Sequence, residues 1–199
     1  MKLSIIGASG HGKVVADIAT KNGYDEIEFF DDNPALRFCG GWPVVGAVED
    51  ALTRENDVFV AIGDAAVREG LMERFHQVHI PKLVHPSAVI ADDVLIGIGS
   101  VVMAGAVINP GATIGKGVIV NTCSSIDHDC VIGDYVHISV GAHLSGTVKV
   151  GKGTWISVGA TVANNICICS GCTVGAGTVV IRNIDEMGTY VGVPARRLR

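Results

Sequence analysis

The sequence predicts two architectures in one chain: an α/β, Rossmann-like half domain, then an all-β parallel β-helix of hexapeptide repeats. Three observations predict it. From Val84 to Asp185 an aliphatic residue returns at every sixth position through seventeen hexads without an insertion. A period of six matches neither the 3.6 of a helix nor strands of irregular length, and is the mark of a solenoid. Before the repeat the chain reads strand, Gly-rich turn, helix. Charge divides at the same place: residues 1–83 carry eight Lys/Arg and thirteen Asp/Glu, whereas the 102 residues of the repeat carry four and six. The expected organisation is therefore 1–83, 84–185 and a C-terminal tail of 186–199.

In the first part, Lys2 to Ile6 reads as a buried strand that runs into Gly7-Ala8-Ser9-Gly10-His11-Gly12 and an amphipathic helix of about Lys13 to Asn22. The exposed amides of such a turn suit a phosphate or another anion. A second strand, Ile27 to Phe30, ends in Asp31-Asp32, and a third, Val58 to Ile62, ends in Gly63-Asp64. In a small parallel sheet these polar ends gather at the carboxyl edge, where ligands of open α/β folds bind. The glycine spacing G-x-x-G-x-G is not the dinucleotide fingerprint, and so short a segment leaves no room for a full dinucleotide fold. A half-sized sugar-nucleotide binder fits better.

In the repeat, the first position runs Val84, Val102, Val120, Ile138, Ile156, Val174 at every third hexad, and the fifth position is small or β-branched almost throughout. These are two inward columns, one large and one small. Gly, Asn or Asp often fills the second position, as at Gly97, Asn109, Gly115, Asn121, Gly133 and Gly151, where tight corners with unusual φ/ψ are expected. Two long uncharged stretches, Val94 to Gly115 and Gly153 to Ile181, are too rich in Gly for membrane spans and keep the hexad register. A surface this poor in charge favours self-association. The net charge of −5 gives no support to nucleic-acid binding. The N-terminus enters a strand directly, without the features of a signal peptide, so the expected compartment is the cytoplasm and the six cysteines are expected as thiols. Register separates Cys167, Cys169 and Cys172 onto different sides, against a metal cluster.

GASGHG, Asp31-Asp32, Ala61-Ile62-Gly63, the hexads and the closing Val191-Gly192-Val193-Pro194-Ala195 together resemble the bacterial sugar acetyltransferases of the PglD and NeuD type, over nearly the whole chain. The resemblance implies a left-handed β-helix with three hexads per coil, a departure from the usual right-handed crossover. It also implies a homotrimer, acetyl-CoA as cosubstrate with no metal, and a UDP-linked 4-amino-deoxy sugar as acceptor. Residues matching the family's nucleotide-sugar site are Ser9, Gly10, His11, Asp31, Asp32 and Gly63. Those matching its acetyl-CoA contacts are Asn121, His137, Val158 and Ala176, while Arg196, Arg197 and Arg199 stand where CoA phosphates would be met.

Three of the seven histidines lie in the repeat. His128 is third in its hexad, where the core does not require it, and is flanked by Asp127 and Asp129. A carboxylate can orient an imidazole and stabilise its protonated form. The resemblance makes His128 the general base and Asp129 its orienting partner, though the family more often has Glu there, one methylene longer. Within the same fold, a sialic-acid-type O-acetyltransferase is the near competitor. A metal-dependent lyase like the γ-type carbonic anhydrases would use His128, His137 and His143, and a non-catalytic sugar-nucleotide sensor would use the first domain alone.

Overall fold

A computed structural model describes residues 1–198, so Arg199 lies outside the described residues. They form two compact units, Met1–His85 and the chain from Pro86 onward. The boundary falls inside the first hexad, and the reason is local. The side chain of Asn22, which closes the helix Gly10–Lys21, donates to Val84 O at 2.8 Å and accepts from Val84 N–H at 3.0 Å, tying Val84 to the first unit.

The first unit is a five-stranded sheet in the order β3-β4-β2-β1-β5, from β1 (Lys2–Ile6), β2 (Glu26–Phe30), β3 (Phe38–Cys39), β4 (Trp42–Gly46) and β5 (Asp57–Val60). The β1, β2, β4 and β5 pairings are parallel, and β3–β4 is an antiparallel hairpin. Leu3, Ile5, Ile6, Phe29 and Phe30 are wholly buried, as runs covered on both faces should be. Helix α1 spans Gly10–Lys21, starting three residues before the expected Lys13. Gly10, His11 and Gly12 are therefore its first turn, and the loop is only Gly7-Ala8-Ser9. Gly7 has φ +103°, and a methyl group on Gly12 would stand 2.3 Å from Gly7 O, so both glycines are required by this strand-to-helix turn. Helix α2 (Ala65–Arg74) is capped by Asp64, whose carboxylate accepts from Val67 N–H.

The second unit is a three-sided parallel solenoid of two-residue strands. Its first flat runs Val89–Ile90, Val107–Ile108, Ser125–Ile126, His143–Leu144, Thr161–Val162, Val179–Val180. The second runs from Leu95–Ile96 through Val131–Ile132 to Cys167–Ile168, and the third from Val101–Val102 through His137–Ile138 to Thr173–Val174. Every pairing joins residue i to i+18, as in Val102↔Val120↔Ile138↔Ile156↔Val174. That ladder is wholly buried, and the fifth-position column is buried from Ser100 to Ile184. The tail continues the solenoid: Thr189–Val191 adds in parallel beside Thr173–Val174, and Arg196–Arg197 pairs back antiparallel.

The corners correct one expectation. Positive φ falls at the fourth position of the hexad, at Gly99, Gly105, Gly111, Gly117, Cys123, Asp129, Tyr135, Gly141 and onward to Gly177, and not at the second. The second-position glycines serve close approach instead. A methyl group on Gly97 would stand 2.6 Å from Gly115 C and O, and one on Gly115 would stand 2.7 Å from Asp134 N. The backbones of successive coils meet there. Each uncharged stretch is longer than the 18-residue coil, so it forms a band around the solenoid and not one of its sides.

Candidate functional site

At the carboxyl edge of the first sheet the ends of β1, β2 and β5 converge as expected. Asp31 Oδ2 accepts from Ala8 N–H at 2.8 Å, joining the Gly-rich loop to β2, and Asp31 Oδ1 accepts from Asn33 N–H at 2.9 Å. Asp31 thus shapes the edge, while exposed Asp32 accepts from Val48 N–H through Oδ1 at 2.9 Å. Both acids border a cleft of about 330 Å³ lined also by Asn33, Arg37, Val44 and Val45. Ser9, Gly10 and Gly63 are exposed.

His11 is mostly enclosed, and its Nε2 has no hydrogen-bond partner among the described residues. Burial, and then the nearby Arg68 guanidinium, push its pKa down to about 4. His11 is therefore a neutral imidazole at pH 7, able to donate or accept one hydrogen bond but not to act as a cation. Arg68, 1 % exposed, donates through Nη1 to Ile62 O at 2.7 Å and Gly63 O at 2.8 Å. The sequence reading missed it. Its signal was an arginine one turn after the Asp64 cap, behind a strand end already singled out.

On the solenoid, His128 and Asp129 occupy the edge between the first and second flats. Asp129 holds φ +58° at the fourth position, a conformation Asp tolerates better than most residues, and this turns its carboxylate back to the imidazole. Nδ1 of His128 lies 2.8 Å from Asp129 Oδ2, so Nδ1–H donates to the carboxylate and the Nε2 lone pair is left as the basic site. The hydrogen bond to Asp129 raises the His128 pKa; desolvation opposes it, and the charges of Asp127 and Asp129 add to the rise. The side chain is exposed. Asp127 accepts from Asn109 Nδ2 and from His128 N–H, and these two bonds lower its pKa.

The acetyl-CoA candidates lie elsewhere. Asn121, Val158 and Ala176 sit on the edge between the third and first flats, with Val158 and Ala176 in one column at i and i+18 and both exposed. His137 projects from the third flat, 3.2 Å from Asn121 Nδ2 through Nε2 and stacked on Trp155 at 6.0 Å and 12°. Trp155 Nε1 in turn donates to Ser139 Oγ at 2.6 Å. Asn121, His137 and Trp155 thus make one constellation and His128-Asp129 another, separated within a chain by the whole first flat. His143 projects from that first flat, with Ser125 Oγ 2.8 Å from its Nδ1. His128, His137 and His143 therefore point to three different sides. Among the cysteines, Cys169 and Cys172 come together after all, Sγ to Sγ 3.4 Å, while Cys167 is exposed on the second flat. Arg196 and Arg197 border a small cleft with Arg182 and Tyr190, and Arg197 pairs with Glu186 at 2.5 Å.

An α/β unit followed by a charge-poor hexapeptide solenoid, bearing an exposed His-carboxylate pair on one edge, is the architecture of the hexapeptide-repeat class. Residues 2–75 match the family model described as the PglD N-terminal domain. The acetyltransferase domain of PglB from Neisseria gonorrhoeae, solved in complex with acetyl coenzyme A, is 42 % identical, with a TM-score of 0.95 over 99 % of this chain and 98 % of that one. PerB from Caulobacter crescentus, in complex with CoA and GDP-perosamine, is 37 % identical, with a TM-score of 0.94 over 100 % and 98 %. UDP-N-acetylbacillosamine N-acetyltransferase of Bacillus subtilis is 37 % identical over 110 residues, 51 % of each protein. An uncharacterised mimivirus protein, L142, is 31 % identical over 99 residues, 49 % of this chain and 20 % of that protein. The chain thus spans about half or less of the curated relatives it matches. It belongs to the PglD and NeuD type of bacterial sugar acetyltransferases. No helix among its described residues is long and apolar enough to cross a membrane.

Proposed function

We propose that this protein transfers the acetyl group of acetyl-CoA to the amino group of a nucleotide-linked 4-amino-deoxy sugar, in the cytoplasm, with His128 as general base. The observation that carries the reading is the 2.8 Å bond between His128 Nδ1 and Asp129, which fixes the tautomer and leaves Nε2 available. A sugar amine attacks the thioester as the free base. As the tetrahedral intermediate forms, its nitrogen must lose a proton, and Nε2 accepts it while Asp129 stabilises the imidazolium. Collapse then expels the CoA thiolate and leaves the amide.

The nucleotide belongs to the first unit, held by the Ser9-Gly10-His11 turn, Asp31, Asp32 and Gly63. Neutral His11 offers one hydrogen bond to a ligand oxygen. Asn121, His137, Val158 and Ala176 hold acetyl-CoA. Because these four, on the third flat and the edge after it, stand away from the His128 edge, one copy cannot present both to one substrate, and a homotrimer that sets the His128 edge of one copy against the Asn121 edge of the next completes the site. Exposed Val89, Leu95 and Val131 on the flats support such association.

The test is CoA release from acetyl-CoA with either a UDP-linked or a GDP-linked 4-amino-4,6-dideoxy sugar. Release with one of them, lost in His128→Ala, is the expected result. No release with either, beside an active control enzyme, overturns it. Protection by UDP or GDP in a thermal shift assay separates this reading from sialic-acid O-acetylation, which needs no nucleotide. Sedimentation at three times the chain mass tests the trimer.

A further inference from the structure

We infer that Cys169 and Cys172 are a dithiol modification site: under oxidising conditions they close to a disulfide that staples the last complete coil of the solenoid. Their Sγ atoms already lie 3.4 Å apart. The edge between the second and third flats explains how the pair arises. Its second positions are Gly97, Gly115, Gly133 and Gly151 in successive coils, and a methyl group on Gly151 would stand 2.7 Å from Cys169 C and 2.4 Å from Ser170 N. The next coil breaks this column with Cys169. The chain stacked on it is shorter, since Ile168 pairs with Ile184, sixteen residues on and not eighteen. The full-coil stacking that demands glycine ends here, and the side chain that takes its place is a thiol beside the inward Cys172.

The backbone is already held for the bond. Cys169-Ser170-Gly171-Cys172 is a turn with Gly171 at φ +70°, and such a turn keeps its end Cα atoms below about 7 Å, where a disulfide spans about 4.4–6.8 Å. Thr154 Oγ1, one coil earlier, donates to Cys169 O at 2.9 Å and accepts from Cys172 N–H at 3.2 Å, clamping both ends of the turn on one oxygen. The two thiols differ in access. Cys172 is 1 % exposed, and burial, then the hydrogen bond to Cys169, push its pKa up to about 11. Cys169 is partly exposed, so it meets the oxidant first. Its thiolate attacks a low-molecular-weight disulfide and expels one thiol; the Cys172 sulfur then attacks Cys169 Sγ and expels the second. The two protein thiols lose two electrons and two protons, and the oxidant leaves as two thiols. Cys172 gives up its 3.6 Å bond to Glu186 O, but that oxygen keeps the Tyr190 hydroxyl at 2.9 Å. The bond therefore forms without orphaning an acceptor.

To test this, the full chain is incubated with oxidised glutathione, the remaining thiols are alkylated, and the tryptic peptide 153–182, which carries Cys167, Cys169 and Cys172, is mapped by mass spectrometry. The expected product is a Cys169–Cys172 bridge, two hydrogens lighter and reversed by dithiothreitol, with Cys167 outside it. In Cys172→Ala the glutathione stays trapped on Cys169, and in Cys169→Ser, a change at a partly exposed position that leaves the core intact, Cys172 remains a free thiol. Bridging raises the thermal unfolding midpoint of the wild type by about 2–4 °C more than the same treatment raises that of Cys169→Ser. If exposed Cys123 and Cys167 take up glutathione while Cys169 and Cys172 stay unbridged, or if the bridge joins Cys167 to Cys169, the site is wrong. A bridged protein whose midpoint matches that of treated Cys169→Ser overturns the staple.

Discussion

The ring of His128 packs over the bare Cα of Gly146, eighteen residues further along, where a methyl group would stand 2.4 Å from Nε2, 2.5 Å from Cε1 and 3.0 Å from Cδ2. Those distances place the methyl over the face of the imidazole, so a side chain at 146 cannot be added without moving the ring.

Gly146 does not hold a positive φ, so alanine there is compatible with the backbone. Gly146→Ala is expected to fold with an unchanged circular dichroism spectrum yet lose about 100-fold in kcat, because the methyl displaces the imidazole. CoA release measures it, and near-wild-type turnover would remove Gly146 from the site.

Asp129 raises the His128 pKa and also sets the tautomer. A general base at His128 would work unprotonated, so kcat/KM should rise with pH through the His128 midpoint. Asp129→Asn, which tolerates the left-handed φ, shifts that rise to lower pH while lowering the plateau by about 10- to 100-fold. A pH–rate profile decides it. A plateau equal to wild type would show that the carboxylate does not orient the base.

His11 imposes an acid limit on the first unit. Its pKa falls from 6.5 to about 4 on folding, so below 6.5 the unfolded chain binds more protons and the folded state loses stability as pH falls toward 4. The loss reaches up to about 3 kcal/mol. His11→Asn, which does not titrate in this range, should flatten the dependence of the unfolding midpoint between these limits. A slope equal to that of wild type would place the acid sensitivity elsewhere.

The two kinds of glycine in the solenoid should respond oppositely. A methyl group on Gly133 would stand 2.8 Å from Lys152 N and 3.0 Å from Val150 O, and backbone in the next coil cannot yield; Gly133→Ala is expected to destabilise by about 1–3 kcal/mol or more. Gly159 has φ +65° with open space around it, and Gly159→Asn should cost less than about 1 kcal/mol. Chemical denaturation ranks them. The reverse order would mean that conformation, not stacking, selects the second-position glycines.

What the sequence determined by itself is what repeats or alternates. An inward ladder from Val102 to Val174 needs only periodicity to be seen, because each coil buries the same positions. β1 was equally plain as an apolar run ending at Gly7. His128-Asp129 was legible as a pair because adjacent residues at a corner can be judged without knowing the rest of the fold. The tertiary structure decided whatever depends on the neighbouring coil or on chain far away in sequence. It put the left-handed φ at the fourth position, since the corner geometry follows from how three flats close, and it made Gly97 and Gly115 points of backbone contact. It enclosed His11 and placed buried Arg68 near it, and burial first, then that guanidinium, keep the imidazole neutral. It also set His128 and Asn121 on different edges of one coil. Seven residues apart in the chain, they are divided by a flat of the solenoid, because two-residue strands turn the backbone to a new side every six residues.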